Sequence, residues 1–328
     1  MINVFVQCDN KQDATSWYRA WGTFPDMERR YPIKFHDLLT AFPQHPTLKG
    51  QSFLDWTKAQ YIDVAFFQRS VGNVLGYAQT LKELGVPIWY DLDDNLWEIP
   101  DTFAIKKGFP AKILQSVEEF IRLADLVTVS TQALADYIKE KVGVECVVVN
   151  NAIDLTRYPI HPFNVGGATI WRGSGTHKED LELCRDFIEG LDHIEFWGYD
   201  PTTNAPRLKT KSHSFVKPID PSLYYKTLAK RQPAFVLCPL IDNTFNRCKS
   251  NVSYLEATIS GAVSINNQVG EFKGKGLPFV SEVEANELAE VHKVAAMDVI
   301  QNYNLRQAND KRIKEIGKIL LKGLDMNT

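Results

Sequence analysis

The chain has 328 residues, of which 44% are hydrophobic and 23% charged, and a formal charge of −3. Length and composition predict two globular domains of ordinary size. The charge balance excludes a protein that coats nucleic acid with its whole surface, while leaving room for a local basic groove. The five cysteines, Cys8, Cys146, Cys184, Cys238 and Cys248, are scattered and form no CxxC, which excludes a disulfide framework and a zinc knuckle. The opening "MINVFVQCD" has no basic lead before a long apolar segment, and no apolar run reaches about 18 residues. Neither a signal peptide nor a membrane span is expected, and the expected location is the cytoplasm.

In chain order the pattern alternates strand and helix. "INVFVQC" (2–8) reads as a buried strand, followed by a helical segment around Ser16 to Arg30, then strands in "IKFHDL" and "DVAFFQ". Val71, Val74, Leu75, Ala78 and Leu81 lie on one helical face that stops at Gly85. "VPIWYDL" is the next strand, and Ile113, Leu114, Val117, Phe120, Ile121 and Ala124 mark another helix. "DLVTVS", a helix over 132–141 and "ECVVVN" complete the first half. Short β-branched runs alternating with amphipathic helices imply a parallel sheet covered on both faces.

The stretch 150–167, "NNAIDLTRYPIHPFNVGG", is polar and turn-rich and reads as a linker. The rhythm then restarts. Strands are expected in "ATIWRG", "HIEFWG", "HSFVKP", "PAFVLCPL", "AVSINN" and "LPFVS", and helices in "KEDLELCRDFIEGL", "SLYYKTLAKR" and "NVSYLEATISG". One long helix runs from about Asn302, with Leu305, Ile313, Ile316, Leu320 and Leu324 on one face. The chain is therefore expected to be two α/β sheets in series, with domains 1–158 and 159–302. Ligands of such sheets sit at the carboxyl ends of strands, and the natural site is a cleft between the two.

Three acids follow the fourth strand in "WYDLDDNLWEIP" (89–100). "DLDD" resembles the first motif of haloacid-dehalogenase-type phosphatases, in which the first Asp attacks phosphorus and the second is the acid, so Asp91 and Asp93 would take those roles. Asn95 stands where that motif has Thr, and no later strand ends in the paired acids that close an Mg²⁺ site. A DxD that holds a metal against a sugar diphosphate would demand one continuous nucleotide-binding sheet, whereas this chain has two. The remaining readings are cleft-facing acids that bind acceptor hydroxyls, or a capped acidic loop with no ligand.

The segment "FNRCKSNVSYLEATISGAVSI" (245–265) is the most informative. A loop carrying Arg247 and Lys249 runs into a helix expected to begin near Ser250. Free N–H groups and the partial positive charge of a helix start, flanked by two cations, suit a diphosphate. Glu256, four residues after Val252, flanks the apolar stripe, where a carboxylate needs a hydrogen-bonding partner such as paired ribose hydroxyls. The loop "RGSGTHK" (172–178) offers Gly173 and Gly175 as the first two glycines of GxGxxG. Lys178 stands where the third belongs, which argues against a dinucleotide fingerprint. The loop is better read as a tight strand-to-helix turn that lets a phosphate approach its backbone at Gly173, Ser174 and Gly175.

"YLEATISGAVSI" resembles the LEAxxxGxPVI segment of two-domain GT-B glycosyltransferases of the retaining family 4 type, which includes sucrose and glycogen synthases. "ECVVVNNAIDLTRY" resembles that family's interdomain stretch at Asn151, Ile153 and Asp154, and "ADLVTVST" is another matching segment. "YDLDDNLWEIP" looks like a segment of its bacterial and phage branch. The resemblance implies a GT-B fold, two Rossmann-like domains facing a cleft with the C-terminal helix (about 303–328) crossing back to the first. It also implies a UDP- or GDP-linked sugar donor and transfer with retention, with no metal and no cofactor. Glu256 would hold the nucleotide ribose. Arg172 and Lys178 would grip the diphosphate, although they are six residues apart rather than five. The first of the family's two donor-site glutamates, eight positions before Glu256, is here Cys248, so Asn246 and backbone groups would meet the sugar.

Charge that builds on the diphosphate as the anomeric bond breaks would be stabilised by Arg172, Lys178, Arg247, Lys249 and the helix start at Ser250. The nucleobase would lie near Gly198 and Tyr199 and at Val216 and Lys217. Ser16, Trp17, Arg19, Asp91, Asp93 and Asp94 are the expected acceptor contacts. The acceptor is a glycan, lipid or small molecule, or a modified base in phage DNA if the basic stretches "RLKTKSH" (207–213) and "KTLAKR" (226–231) line a groove. The competing readings are the phosphatase and a sugar-nucleotide-binding module without turnover.

Overall fold

The computed structural model describes residues 1–8, 13–37, 62–203, 208–279 and 285–325. Leu38 of "IKFHDL", Arg207 of the basic stretch and the end of "LPFVS" (280–281) lie outside the described residues. Contacts group the chain into two compact units. Unit 1 comprises Met1–Trp97, Lys107–Asn150 and Arg306–Thr328, and unit 2 comprises Glu98–Lys106 and Asn151–Leu305.

Unit 1 holds a parallel six-stranded sheet in the order β2-β1-β3-β4-β5-β6, from β1 (Ile2–Gln7), β2 (Ile33–Asp37), β3 (Val64–Gln68), β4 (Ile88–Leu92), β5 (Leu126–Val129) and β6 (Val147–Val148). β3 and β4 are buried along their whole length, as expected of parallel strands covered on both faces. Val4, Val6, Phe24, Met27, Phe66 and Trp89 form the core, and Ile316 and Ile319 of the C-terminal helix Leu305–Asp325 close it. Phe66 meets Trp89 edge to face with ring centroids 4.4 Å apart. The C-terminal helix is also fastened by polar contacts, with Asn309 donating to Thr23 O and to Asp26, and Arg30 and Tyr31 bonding Asp310.

The helix expected over 16–30 is broken into three. Ala14–Ser16 forms one turn, Trp17–Trp21 is a π-helical turn, and a separate helix spans Phe24–Arg30 with Pro25 in its first turn. Gly22 closes the wide turn by donating to Trp17 O at 2.8 Å, and a Cβ there would stand 2.9 Å from the Trp17 ring. The wide turn contains Arg19. Arg19 is fully buried and meets Asp91 at the end of β4 through two hydrogen bonds, Nε to Oδ1 at 2.8 Å and Nη2 to Oδ2 at 2.7 Å. Its Nη1 donates to Val149 O at 2.6 Å, and Thr128 of β5 donates to the same carboxylate at 2.5 Å. One guanidinium therefore ties together the segment after β1, the middle strands and the strand end at Val149. Arg312 of the C-terminal helix is also fully buried. Burial, then the repulsion of Arg19, hold its pKa down at about 9.

Unit 2 repeats the plan with five parallel strands in the order β11-β10-β7-β8-β9, from β7 (Thr169–Arg172), β8 (Ile194–Trp197), β9 (His213–Val216), β10 (Phe235–Cys238) and β11 (Val263–Asn266). The expected helix in "KEDLELCRDFIEGL" is a 3-10 turn, Asp180–Cys184, and a short helix, Arg185–Gly190. In the described part of "LPFVS", Leu277 forms a single bridge to Ile265. The helix Ala285–Asn302 is not among the expected elements, although Leu288, His292, Ala295 and Val299 are buried at helical spacing. The polar His292 interrupts that row in the sequence, and in the fold it bonds Thr258 O at 3.0 Å. Ile153, just past the end of unit 1, is hydrogen-bonded in unit 2 to Tyr303 and Leu305.

The Arg19–Asp91 pair yields a stability test. Asp91→Ala leaves a buried guanidinium without its counter-charge, next to buried Arg312, and should cost about 3–5 kcal/mol in urea denaturation. A loss under about 1 kcal/mol would show that the pair does not brace the sheet.

Candidate functional site

In each sheet the strand order reverses beside the first strand of the unit, between β1 and β3 in unit 1 and between β7 and β10 in unit 2. Crevices outside the carboxyl ends of strands at such reversals are where ligands of open α/β sheets bind. Most candidate residues lie at or after the carboxyl ends of strands, and each unit has its own polar cluster.

In unit 2, Arg172 ends β7, and the loop after β10 leads to the helix Val252–Ile259. That helix starts two residues later than expected, and Ser250 accepts a hydrogen bond from Asn151 Nδ2 at 2.8 Å. Glu256 is almost wholly buried and is held by Arg172, whose Nε and Nη2 lie 3.1 and 2.5 Å from Oε2, and by the Tyr224 hydroxyl at 3.3 Å. Arg172 also stands over the Tyr224 ring at 5.5 Å. Burial and the neighbouring Glu256 carboxylate raise the Tyr224 pKa, keeping it a neutral donor. The sequence gives no sign that Arg172 and Glu256 meet, since 84 positions separate them. A carboxylate this deeply buried is tolerable because a cation and a hydroxyl both face it.

Lys249 stands over the Phe245 ring at 4.6 Å. Arg247 departs from expectation. Its Nε and Nη2 bond exposed Asp242 at 2.6 and 3.1 Å, so its charge is engaged at the surface. Asn246 is buried and braces the loop, its Nδ2 donating to Ile241 O at 2.9 Å, while its Oδ1 is buried without a partner among the described residues. Cys248, in the position of the missing glutamate, is buried.

The loop after β7 is shaped by contact. A Cβ on Gly173 would stand 2.5 Å from the Trp171 ring, and one on Gly175 would stand 3.1 Å from the Tyr199 ring. Gly198 has φ +94° and lies so close to Gly173 O that a Cβ would approach it to 2.6 Å. Tyr199 thus packs against the loop. Val216 gives its carbonyl to Gly198 N and its side chain to the cluster around Trp197, while Lys217 is exposed. Ser174 is exposed, with its hydroxyl 2.5 Å from that of Thr176, and Lys178 is half-buried.

His177 is not among the expected site residues. Its Nδ1 lies 2.8 Å from buried Asp180, which also accepts from Ile241 N at 2.8 Å. Phe103, in the Glu98–Lys106 segment of unit 2, packs edge to face on both His177 and Phe245. Burial, with Lys249 and Arg172 nearby, holds the imidazole pKa below its usual value against the opposing pull of Asp180. The spacing of His177 and Asp180, i and i+3, is the signal the sequence offers.

In unit 1 the acids divide. Asp91 is committed to Arg19 and Thr128, so neither Asp91 nor Arg19 presents a free polar edge as an acceptor contact would require. Trp17 packs on its own turn at Gly22. Ser16 donates to Gln68 Oε1 at 3.1 Å, and Arg69, which adopts φ 48°, bonds Asp13 at 2.8 Å and faces Asp94 at 3.8 Å. Three buried polar atoms at the carboxyl end of this sheet, Gln7 Oε1, Gln68 Nε2 and Asp93 Oδ1, have no hydrogen bond among the described residues. Unsatisfied buried polar groups are rare, and each of these three lies at or just past the end of a strand of this sheet. Burial, then the neighbouring Asp94, push the Asp93 carboxyl up to about 7, with Arg69 and Arg19 opposing.

Solved structures supply the comparison. An α-glucosyltransferase in complex with UDP-glucose and DNA containing an abasic site superposes with a TM-score of 0.52, at 12% identity over 97% of this chain and 94% of that one. The fold is GT-B. Sucrose-phosphate synthase from Thermosynechococcus elongatus gives 0.55 at 12% identity over 99% and 98% of the two chains. A mutant of S. aureus TarM, in complex with fondaparinux, α-GlcNAc-glycerol and UDP, gives 0.54 at 13% identity over 80% of this chain and 57% of that one. No protein-family model matches, and no curated protein matches. Among the described residues no helix is long and apolar enough to cross a membrane.

The raised Asp93 carboxyl predicts a pH signature. The native state holds this proton between about pH 4, where an unfolded Asp releases it, and about pH 7, so its contribution to stability falls across that window. Asp93→Asn should therefore gain melting temperature relative to wild type as pH rises from about 4 to about 7. A difference independent of pH would refute the raised carboxyl.

Proposed function

We propose that this protein transfers a sugar from a nucleoside diphosphate sugar, UDP- or GDP-linked, to an acceptor hydroxyl, with retention and without a metal ion or cofactor. The observation that carries the reading is the cluster in unit 2, where Arg172, His177 and Lys249 surround the strand reversal between β7 and β10 beside the helix that bears Glu256. Cations there stabilise a departing diphosphate by electrostatics that are already in place before the bond breaks. The structural neighbours named with UDP or UDP-glucose support this assignment, as does the LEA-type segment around Glu256.

In this mechanism Lys249, Arg172 and Lys178 grip the diphosphate, with Gly173, Ser174 and Gly175 lending backbone. Glu256, oriented by Arg172 and Tyr224, meets the ribose. The leaving phosphate oxygen takes the acceptor proton, so no side chain need serve as base. Asp93 receives the acceptor on unit 1, while Asp91 is a strut. That commitment of Asp91 to Arg19 disfavours the phosphatase reading, which needs a free nucleophilic carboxylate. The acceptor is a glycan, a lipid or small molecule, or a modified DNA base, as in a phage enzyme. Affinity for duplex DNA that falls steeply with salt would select the last. The location consistent with this chemistry is the cytoplasm.

A thermal-shift panel of UDP, GDP and their sugars, without metal, tests the class, and stabilisation by one base names the donor. Lys249→Ala should weaken the nucleoside diphosphate about tenfold and leave the bare nucleoside unchanged. Equal losses for both ligands would remove Lys249 from the diphosphate. Donor binding without turnover on any acceptor class would instead identify a binding module.

A further inference from the structure

His177 is placed by more than its loop. Asp180, its hydrogen-bond partner, is almost wholly buried, and Asp180 Oδ1 is already occupied by Ile241 N at 2.8 Å and Asn246 Nδ2 at 3.4 Å. A carboxylate can only accept, so Nδ1 of His177 carries the proton in this pair. Phe103 covers the ring from the side, and the side chain remains 24% exposed. Nε2 has no hydrogen bond among the described residues. The charges acting on the ring are those of Asp180, Lys249 and Arg172.

We propose that His177 is a donor-binding residue that takes up a proton from solvent when the nucleoside diphosphate sugar binds, so that Nε2–H donates to a phosphate oxygen. The inference rests on the transferase reading above. In the free protein the two cations and burial disfavour a third positive charge, and the imidazole is neutral near pH 7. A bound diphosphate brings two negative charges against Lys249 and Arg172. The same electrostatics then favour the imidazolium, which Asp180 stabilises from behind. Binding and protonation are therefore linked. Affinity rises as pH falls through the bound-state pKa, and levels off below the free-state pKa. His177 thus supplies positive charge only when the donor is present.

Isothermal titration with UDP-glucose and with GDP-glucose decides it, because both phosphates of a nucleotide sugar are esterified and do not titrate near neutral pH. In two buffers of different ionisation enthalpy, the expected result is net uptake of up to one proton. Affinity should be about three- to tenfold tighter near pH 6 than near pH 8. His177→Gln should flatten the pH profile at the level wild type shows near pH 8. Binding by wild type that is the same at both pH values, with no buffer dependence, overturns the proposal while leaving the transferase reading intact. A pH profile kept by His177→Gln also overturns it. Failure of both nucleotide sugars to bind at any pH overturns the two together.

Discussion

The molecule depends on burying a carboxylate without stranding its charge. Both units solve this with an arginine delivered from a distant part of the chain. In unit 1 Arg19, carried inward by a π-helical turn, meets Asp91 with two hydrogen bonds. In unit 2 Arg172, at the end of β7, meets Glu256 on the helix after β10. The unit 2 pair joins elements that flank the reversal of strand order, and the unit 1 pair joins the segment after β1 to β4. An ion pair out of water tolerates little misalignment, so each also fixes the local geometry of the elements it joins.

The two pairs differ in what they leave over. Asp91 and Arg19 are buried completely and consume each other, so they serve the sheet. Arg172 remains partly exposed, and Lys249 and His177 lie near it, so unit 2 keeps cationic character toward an incoming anion. In unit 1 the polar surplus is of another kind. Gln7, Gln68 and Asp93 retain atoms unsatisfied among the described residues, and burial raises the Asp93 carboxyl. One unit thus keeps cations partly exposed, and the other keeps polar atoms unsatisfied among the described residues. This division of labour follows from where charge was spent in folding.

Much of this is legible residue by residue. Continuous apolar runs such as "VAFF" and "IWYDL" are buried parallel strands because nothing else hides both faces of a strand. The stop at Gly143 after Gln132–Val142 follows from its left-handed conformation, φ 79°. Glu256 is recognisable as a carboxylate on the edge of an apolar stripe. The departures have equally specific causes. Residues 16–30 read as one continuous helix because a π turn keeps helical spacing on either side. The helix Ala285–Asn302 escapes the pattern because one buried histidine sits in its apolar row. Neighbours in sequence put Arg247 at the diphosphate, whereas the local Asp242 holds it at the surface.

The sequence by itself determined the class of fold, the two-sheet organisation and the residue types gathered near position 250, since these are written in local periodicity and spacing. Which charges are spent and which are available was decided only by tertiary structure. Asp91 and Asp93 stand two residues apart with the same side chain, yet one is locked to Arg19 and the other is buried beside a like charge. His177 gained its place only when Asp180, Phe103 and Lys249 came around it. A charge's role is set by its dielectric surroundings and its partners, and most of those partners lie tens of residues away in the chain.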